Sequence, residues 1–251
     1  MPGVTGTREF YEAGYSLTGD EGAKMGRWRA LGARSKAVHV TALCARAGLR
    51  PATLVEIGCG DGAVLAELAA RGLSPVLDGF ELSPKAAGIA AGRGVGRRVE
   101  AFDGIHVPAA DGAYDLAILS HVLEHVPDPL PLLTEAARIA RHVLVEVPLE
   151  DNRSAKRPAK RKLAEAAGHL HAYSRTSLHA QLKTAGLAPR HDVSDPLPYE
   201  HHAFFSTPAK AAVKHTFRAT AHRLAPGTAE RLFTVHYAVL ASVEQPLGPG
   251  H

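Results

Sequence analysis

Leu54-Val55-Glu56-Ile57-Gly58-Cys59-Gly60-Asp61-Gly62-Ala63-Val64-Leu65 is the stretch whose reading decides the rest of the chain. Ala52 to Ile57 is apolar and β-branched enough for a buried strand. Glycines then follow at every second position, Gly58, Gly60 and Gly62. Glycine has no Cβ and tolerates positive φ, so a ligand can lie against bare backbone there. A helical pattern resumes at once, with Val64, Leu65 and Leu68 on one face and Gly72 as its stop. Strand, glycine turn and helix N-terminus together aim backbone N–H groups at something anionic or polar.

Around that turn, 251 residues suit one domain with additions. An apolar content of 45% marks a globular chain. A net charge of +4 and a pI near 9.1 are a modest basic excess, which does not by itself imply a nucleic-acid partner. The two cysteines, Cys44 and Cys59, form neither a disulfide framework nor a metal motif. Met1-Pro2-Gly3 opens no charged segment followed by an apolar run, and no apolar run reaches spanning length. The expectation is a cytoplasmic protein without membrane contact.

Residues 1–34 carry Phe10, Tyr11, Tyr15 and Trp28 among charges and glycines, a pattern read as an N-terminal flap with an apolar inner face. Ser35 to Gly48 reads as a helix, Pro75 to Phe80 as the second strand and Arg98 to Phe102 as the third. Glu81 ends the second strand and Ser83-Pro84 opens a helix behind it. An acidic residue at that distance past a glycine turn is placed to accept the two hydroxyls of a ribose. Asp103 follows the third strand, either facing an adenine amino group or capping its own turn. Tyr114 to Ser120 is the fourth strand, and it runs into His121-Val122-Leu123-Glu124-His125-Val126-Pro127-Asp128-Pro129.

Two ligand classes use such a turn. Gly58-x-Gly60-x-x-Ala63 satisfies the dinucleotide pattern. Glu56-x-Gly58-x-Gly60-x-Gly62 also matches the acidic-Gly-x-Gly-x-Gly signature of class I S-adenosylmethionine-dependent methyltransferases. A carboxylate at the strand end suits the ammonium of a methionine moiety better than a pyrophosphate. With Glu81, Asp103 and the His-x-x-Glu-His-Val-Pro-Asp-Pro run added, the series resembles that superfamily, closest to the small-molecule branch with the ubiquinone and menaquinone methyltransferases. Gly168-His169 resembles the Gly-His segment that many of its members carry.

The resemblance implies a Rossmann-like, doubly wound α/β sheet of seven strands in the order 3-2-1-4-5-7-6, strand 7 antiparallel. The N-terminal flap (1–34) and a cap insertion at 196–232, between strands 6 and 7, fall outside the resemblance, and substrate choice is expected to lie there. The cofactor implied is S-adenosylmethionine, and the reaction is in-line methyl transfer to oxygen, nitrogen or carbon of a small molecule, with a role in bacterial secondary metabolism as a guess from composition. Glu56, Gly58, Cys59, Gly60 and Gly62 would hold its methionine end, Glu81 and Leu82 its ribose, and Asp103 and Gly104 its adenine, with Ser120, His121, Tyr11, Tyr15 and Arg34 around it. Candidate bases are His169 and His171, then His121. Tyr15, Trp28, Tyr173, His201, His202 and Phe204 are the expected substrate contacts.

His121, Glu124 and His125 raise the question of a metal, but the local spacing supplies no third ligand of metal-site type, so none is expected. The run Arg153, Lys156, Arg157, Lys160, Arg161 and Lys162 reads as a solvated face before it reads as a rim for an acidic substrate. Three other functions stay open: a protein or RNA methyltransferase, a nicotinamide-dependent oxidoreductase, and a non-catalytic nucleoside-binding domain. Oligomeric state is not legible.

Overall fold

The computed structural model describes residues 4–244. Seven strands form one sheet: β1 (Thr53–Ile57), β2 (Val76–Glu81), β3 (Arg98–Ala101), β4 (Tyr114–Ser120), β5 (Ala140–Pro148), β6 (Leu187–Asp195) and β7 (His236–Val243). Their order is β3-β2-β1-β4-β5-β7-β6. β1 pairs in parallel with both β2 and β4, and β7 runs antiparallel between β5 and β6. This is the doubly wound sheet with one reversed strand that the resemblance implies. Its chain reversal beside β1 puts a crevice at the carboxyl ends of the central strands.

The pleat sends alternate residues to opposite faces. Leu54, Leu116, Ile118 and Leu144 pack under α2 (Gly19–Arg46) and α3 (Ala63–Ala70). Val55, Ile57, Ala117, Leu119, Val143 and Val145 pack under α5 (Pro129–Ile139) and α7 (Arg175–Thr184). Central strands buried on both faces explain their continuous apolar runs.

The N-terminal segment, expected as a flap over 1–34, is helical. α1 (Val4–Tyr15) is followed by α2, which runs unbroken for 28 residues across the expected boundary at 34/35. Gly22, Gly26 and Gly32 lie inside it, each costing about 1 kcal/mol relative to alanine. Burial of Ala33, Ala37, Val40, Leu43 and Cys44 against the sheet offsets that cost. A polar contact reinforces the docking: His39 Nδ1 donates to Glu146 Oε1 of β5 and Nε2 to Asp195 Oδ2 of β6, both at 3.1 Å.

Between β6 and β7 the expected insertion is present as α8 (Tyr199–Ala203), α9 (Pro208–Leu224) and α10 (Pro226–Leu232). Trp28 of α2 packs on it, with ring centroids 5.4 Å from His201, 5.2 Å from Phe204 and 5.0 Å from Phe205. The basic run leads into α6 (Pro158–Ala166), which buries no residue.

Candidate functional site

The carboxyl ends of β1, β2 and β4 open into a cavity of about 440 Å³, within the range of small-molecule and cofactor sites. The glycine turn is its floor. Gly58 and Gly60 have φ of 76° and 54°. A Cβ would lie 2.5 Å from Val122 Cγ2 at Gly58 and 2.5 Å from the Tyr15 hydroxyl at Gly60. No side chain fits at either place, which is the close backbone approach the sequence pattern requires.

Glu81 fixes this floor. Its Oε2 accepts from Gly60 N–H at 2.9 Å and its Oε1 from Ser83 N–H at 3.0 Å. Burial pushes its pKa up, against the pull of the Ser83, Gly60 and Leu82 backbone hydrogen bonds. A carboxylate offers about four acceptor positions. The two bonds therefore leave capacity for ribose hydroxyls. Glu56, buried at the end of β1, has an Oε2 without a hydrogen-bond partner. Burial above all, eased by Lys36 and aggravated by Glu81 and Asp61, pushes its pKa up to about 8. An incoming ammonium would relieve that cost.

α1 closes the cavity from above. Tyr15 lines it, and the Arg29 guanidinium sits 4.9 Å over the Tyr15 ring. Arg29 Nε donates to Asp61 Oδ2 at 2.9 Å, inside the turn. Lys85 Nζ of α4 (Pro84–Ala91) donates to Ser16 Oγ at 2.9 Å.

The opposite wall is the segment after β4. His121 leaves the strand with φ of 58°, while its N–H still donates to Glu146 O at 2.8 Å. The left-handed turn costs on the order of 1 kcal/mol and throws the following residues over the strand ends. Val122, His125, Val126, Pro127, Asp128, Pro131 and Leu132 then line the cavity, with Phe102 and Ile105.

Buried charge is concentrated behind this wall. Glu146 lies at 0% exposure, its Oε1 bonded by His39 and its Oε2 by the Ser120 hydroxyl at 3.2 Å. Burial alone would raise its pKa, but the neighbouring His121 and His39 imidazoles hold it well below the usual carboxylate range. His236 Nδ1 lies 3.8 Å away, and burial keeps that imidazole neutral. Glu124, also at 0% exposure, has His121 Nδ1 3.1 Å from its Oε1, without the alignment of a hydrogen bond.

Of the residues expected at the cofactor, Tyr15, Gly58, Gly60, Glu81, Leu82, Asp103, Gly104 and His121 line the cavity together. Glu56, Cys59 and Gly62 lie beside or beneath the turn: Cys59 is buried under it, and Gly62 caps α3 with φ of 73°. Asp103 reaches the rim but caps its own loop, accepting from Ile105 N–H at 2.8 Å and His106 N–H at 2.7 Å. Ser120 is turned to Glu146. Arg34 is exposed and 3.6 Å from Glu67, away from the cavity wall. The side chain of Tyr11 lies outside the described residues.

The two leading base candidates are not on the wall. His169 Nδ1 donates to Glu150 Oε2 at 2.7 Å, and His171 Nε2 to Val126 O at 2.9 Å. His169 stands behind His125, ring centroids 4.8 Å apart. Tyr173 is buried, its hydroxyl donating to Gln181 at 3.0 Å. Trp28, His201, His202 and Phe204 meet at the contact of α2 with the cap, not at the cavity. Sequence reasoning missed His125 and the apolar wall from Val122 to Leu132. The His-x-x-Glu-His signature marked the place, but apolar wall residues look like core in a sequence.

Residues 28–192 match the family described as a methyltransferase domain. The chain belongs to that family, whose class I members take their methyl group from S-adenosylmethionine. Relatives include a Mycobacterium sp. (strain JLS) uncharacterized methyltransferase, 43% identical over 36% of this chain and 34% of its own length. The ubiquinone biosynthesis O-methyltransferase of Nitrosomonas europaea is 32% identical over 38% of this chain and 41% of its own. The match thus spans well under half the length of these curated relatives. Among solved structures, a Haloferax volcanii methyltransferase in complex with the Trm112 activator has a TM-score of 0.64 at 16% identity, covering 95% of this chain and 99% of that one. Geranyl diphosphate C-methyltransferase from Streptomyces coelicolor A3(2), solved with Mg2+, geranyl diphosphate and S-adenosyl-L-homocysteine, has 0.55 at 18%, covering 76% of this chain and 73% of that one. These likenesses are of fold. No helix among the described residues is long and apolar enough to cross a membrane.

Proposed function

We propose that this chain transfers a methyl group from S-adenosylmethionine to a small-molecule acceptor held in the same cavity, as a metabolite-tailoring enzyme. The observation that carries the reading is the make-up of the cavity's walls. A bare-backbone floor and Glu81 face an apolar wall of Val122, Pro127, Pro131 and Leu132, under a helix that brings Tyr15 onto Gly60. Such a space suits a nucleoside and a compact partner. Two residues of the basic run, Lys156 and Arg161, pair with Asp151 and Glu165 on an exposed face, in keeping with a solvated surface.

S-adenosylmethionine, when bound, supplies a methyl carbon made electrophilic by its sulfonium. The residues fit it: Glu56 offers a buried oxygen without a partner, Gly58 and Gly60 leave room against the backbone, and Glu81 retains acceptor capacity. This chain's work is then alignment and exclusion of water. His121 and His125 are the imidazoles on the wall beside a bound acceptor, and His169 stands behind His125.

Calorimetric titration with S-adenosylmethionine and S-adenosylhomocysteine, with NAD as control, is the test. Binding of the two sulfur compounds alone, followed by turnover of a phenol or amine metabolite, is the expected result. Binding of NAD alone overturns the reading.

A further inference from the structure

The geometry points to a divalent transition-metal site formed by Glu124, His125 and His169 at the acceptor end of the cavity. One ligand atom from each lies within 4.8 Å of the others. Two histidines and one carboxylate, with positions left open, make the donor set of open zinc and ferrous sites. The sequence argued against a metal because no third ligand stood near His121, Glu124 and His125. The fold supplies it. The loop before α7 returns along the post-β4 segment, Leu170 N–H and His171 N–H both donating to Glu124 O at 2.7 and 3.2 Å, and this sets His169 beside His125.

Two further observations point to an ion. Glu124 is fully buried and neither of its carboxylate oxygens has an aligned hydrogen-bond partner; the His121 imidazole, Nδ1 3.1 Å from Oε1, stands beside one of them, and the other is left for a cation. Both imidazoles are also oriented as metal ligands are. His169 presents Nδ1 to Glu150 Oε2 at 2.7 Å and His125 presents Nδ1 to Gly168 O at 3.2 Å. A histidine ligand donates its other ring N–H to a carboxylate or carbonyl in this way, which fixes the tautomer and turns Nε2 toward the ion. His125 Nε2 lies 3.9 Å from Glu124 Oε1. Ligand bonds of about 2.0–2.2 Å require these atoms to draw together by roughly an ångström, within reach of small χ rotations.

A second group, His121, Glu146 and His236, also converges. It is less suited, because both Glu146 oxygens are already taken by His39 and Ser120. His125 lines the cavity while Glu124 and His169 stand behind it, so the ion would be reached from the acceptor side. Resting on the methyl-transfer reading, the acceptor class that follows is one with an ionisable hydroxyl, whose oxygen the ion would bind and acidify.

The test reads metal, not turnover. The full chain is stripped with chelator, equilibrated with Zn2+, washed, and its metal content measured; Co2+ replaces Zn2+ for visible absorption, and Mg2+ is the control. About one Zn2+ per chain is expected, with tetrahedral-type Co2+ bands. Glu124→Gln and His169→Ala should each weaken Zn2+ binding by 10-fold or more, while His171→Ala, whose partner is the Val126 carbonyl, should leave it unchanged. S-adenosylhomocysteine titration of every variant is run beside it, to show that the fold persists and to separate a failed metal site from a failed cofactor site. Zn2+ content well below one per chain, or equal binding by the Glu124 and His169 variants, overturns the inference even if S-adenosylhomocysteine binds.

Discussion

Glu81 shows how one carboxylate can serve structure and ligand together. It ties the glycine turn to β2 through Gly60 N–H and the α4 entry through Ser83 N–H. Glu81→Ala should weaken S-adenosylhomocysteine binding by roughly 1–3 kcal/mol in calorimetry, through lost hydrogen bonds to the ribose and a loosened turn. Glu81→Gln, which keeps one acceptor oxygen, should lose less; unchanged affinity in both would remove Glu81 from the site. Gly60→Ala is the sharper steric test. The added methyl meets the Tyr15 hydroxyl and the backbone holds a φ of 54°, so cofactor affinity should fall by at least 10-fold while Gly14→Ala, with open space around its Cβ, leaves it unchanged. The acidic strand ends and the spaced glycines were legible in the sequence because each is fixed by local backbone geometry. His169 was legible only as a candidate base, because its neighbours Glu150 and His125 come from other parts of the chain.

At the scale of elements, α2 is joined to the sheet by a charged imidazole. Burial lowers the His39 pKa, but hydrogen bonds to Asp195 and Glu146 outweigh it and raise the value to about 9. A folded-state pKa raised above the unfolded value of 6.5 stabilises the fold fully below that value, and the contribution is lost as pH rises through about 9. The difference is on the order of 3 kcal/mol, so denaturant midpoints should fall between neutral and strongly alkaline pH. His39→Gln should be less stable at neutral pH and flatter across that window. A wild-type midpoint that does not move would remove the imidazolium from the contact. The extent of α2 was not legible, because its first half, with glycines at 22, 26 and 32, lacks the apolar spacing that marks the helix from Ser35. Their cost is local, whereas the burial that outweighs it comes from strands far along the chain. Strand order came from the resemblance carried by the glycine turn, the acidic strand ends and the post-β4 segment; the continuous apolar runs of β1, β4 and β5 marked the strands themselves, because both their faces are buried.

At the scale of the molecule, the additions at either end of the fold meet each other. Trp28 of α2 touches His201, Phe204 and Phe205 of the cap, so the segment before β1 and the segment between β6 and β7 pack as neighbours. Trp28→Ala should lower stability by on the order of 1–3 kcal/mol and raise the acceptor KM, with S-adenosylhomocysteine affinity unchanged. Equal loss of both affinities would show that the contact supports the whole fold and not the cap. The aromatic residues were legible as a set, but not their meeting place. Both segments lie outside the regular βα alternation, where periodicity gives no register between distant pieces of chain. Trp28 is also the only tryptophan in the sequence. One of its ring neighbours is the His201 imidazole, whose pKa burial lowers, so the indole reports the packing around it and not a charge beside it. The protein thus carries its own optical probe at the joint between its two added segments, and a change in packing there on acceptor binding would be read in real time without a label.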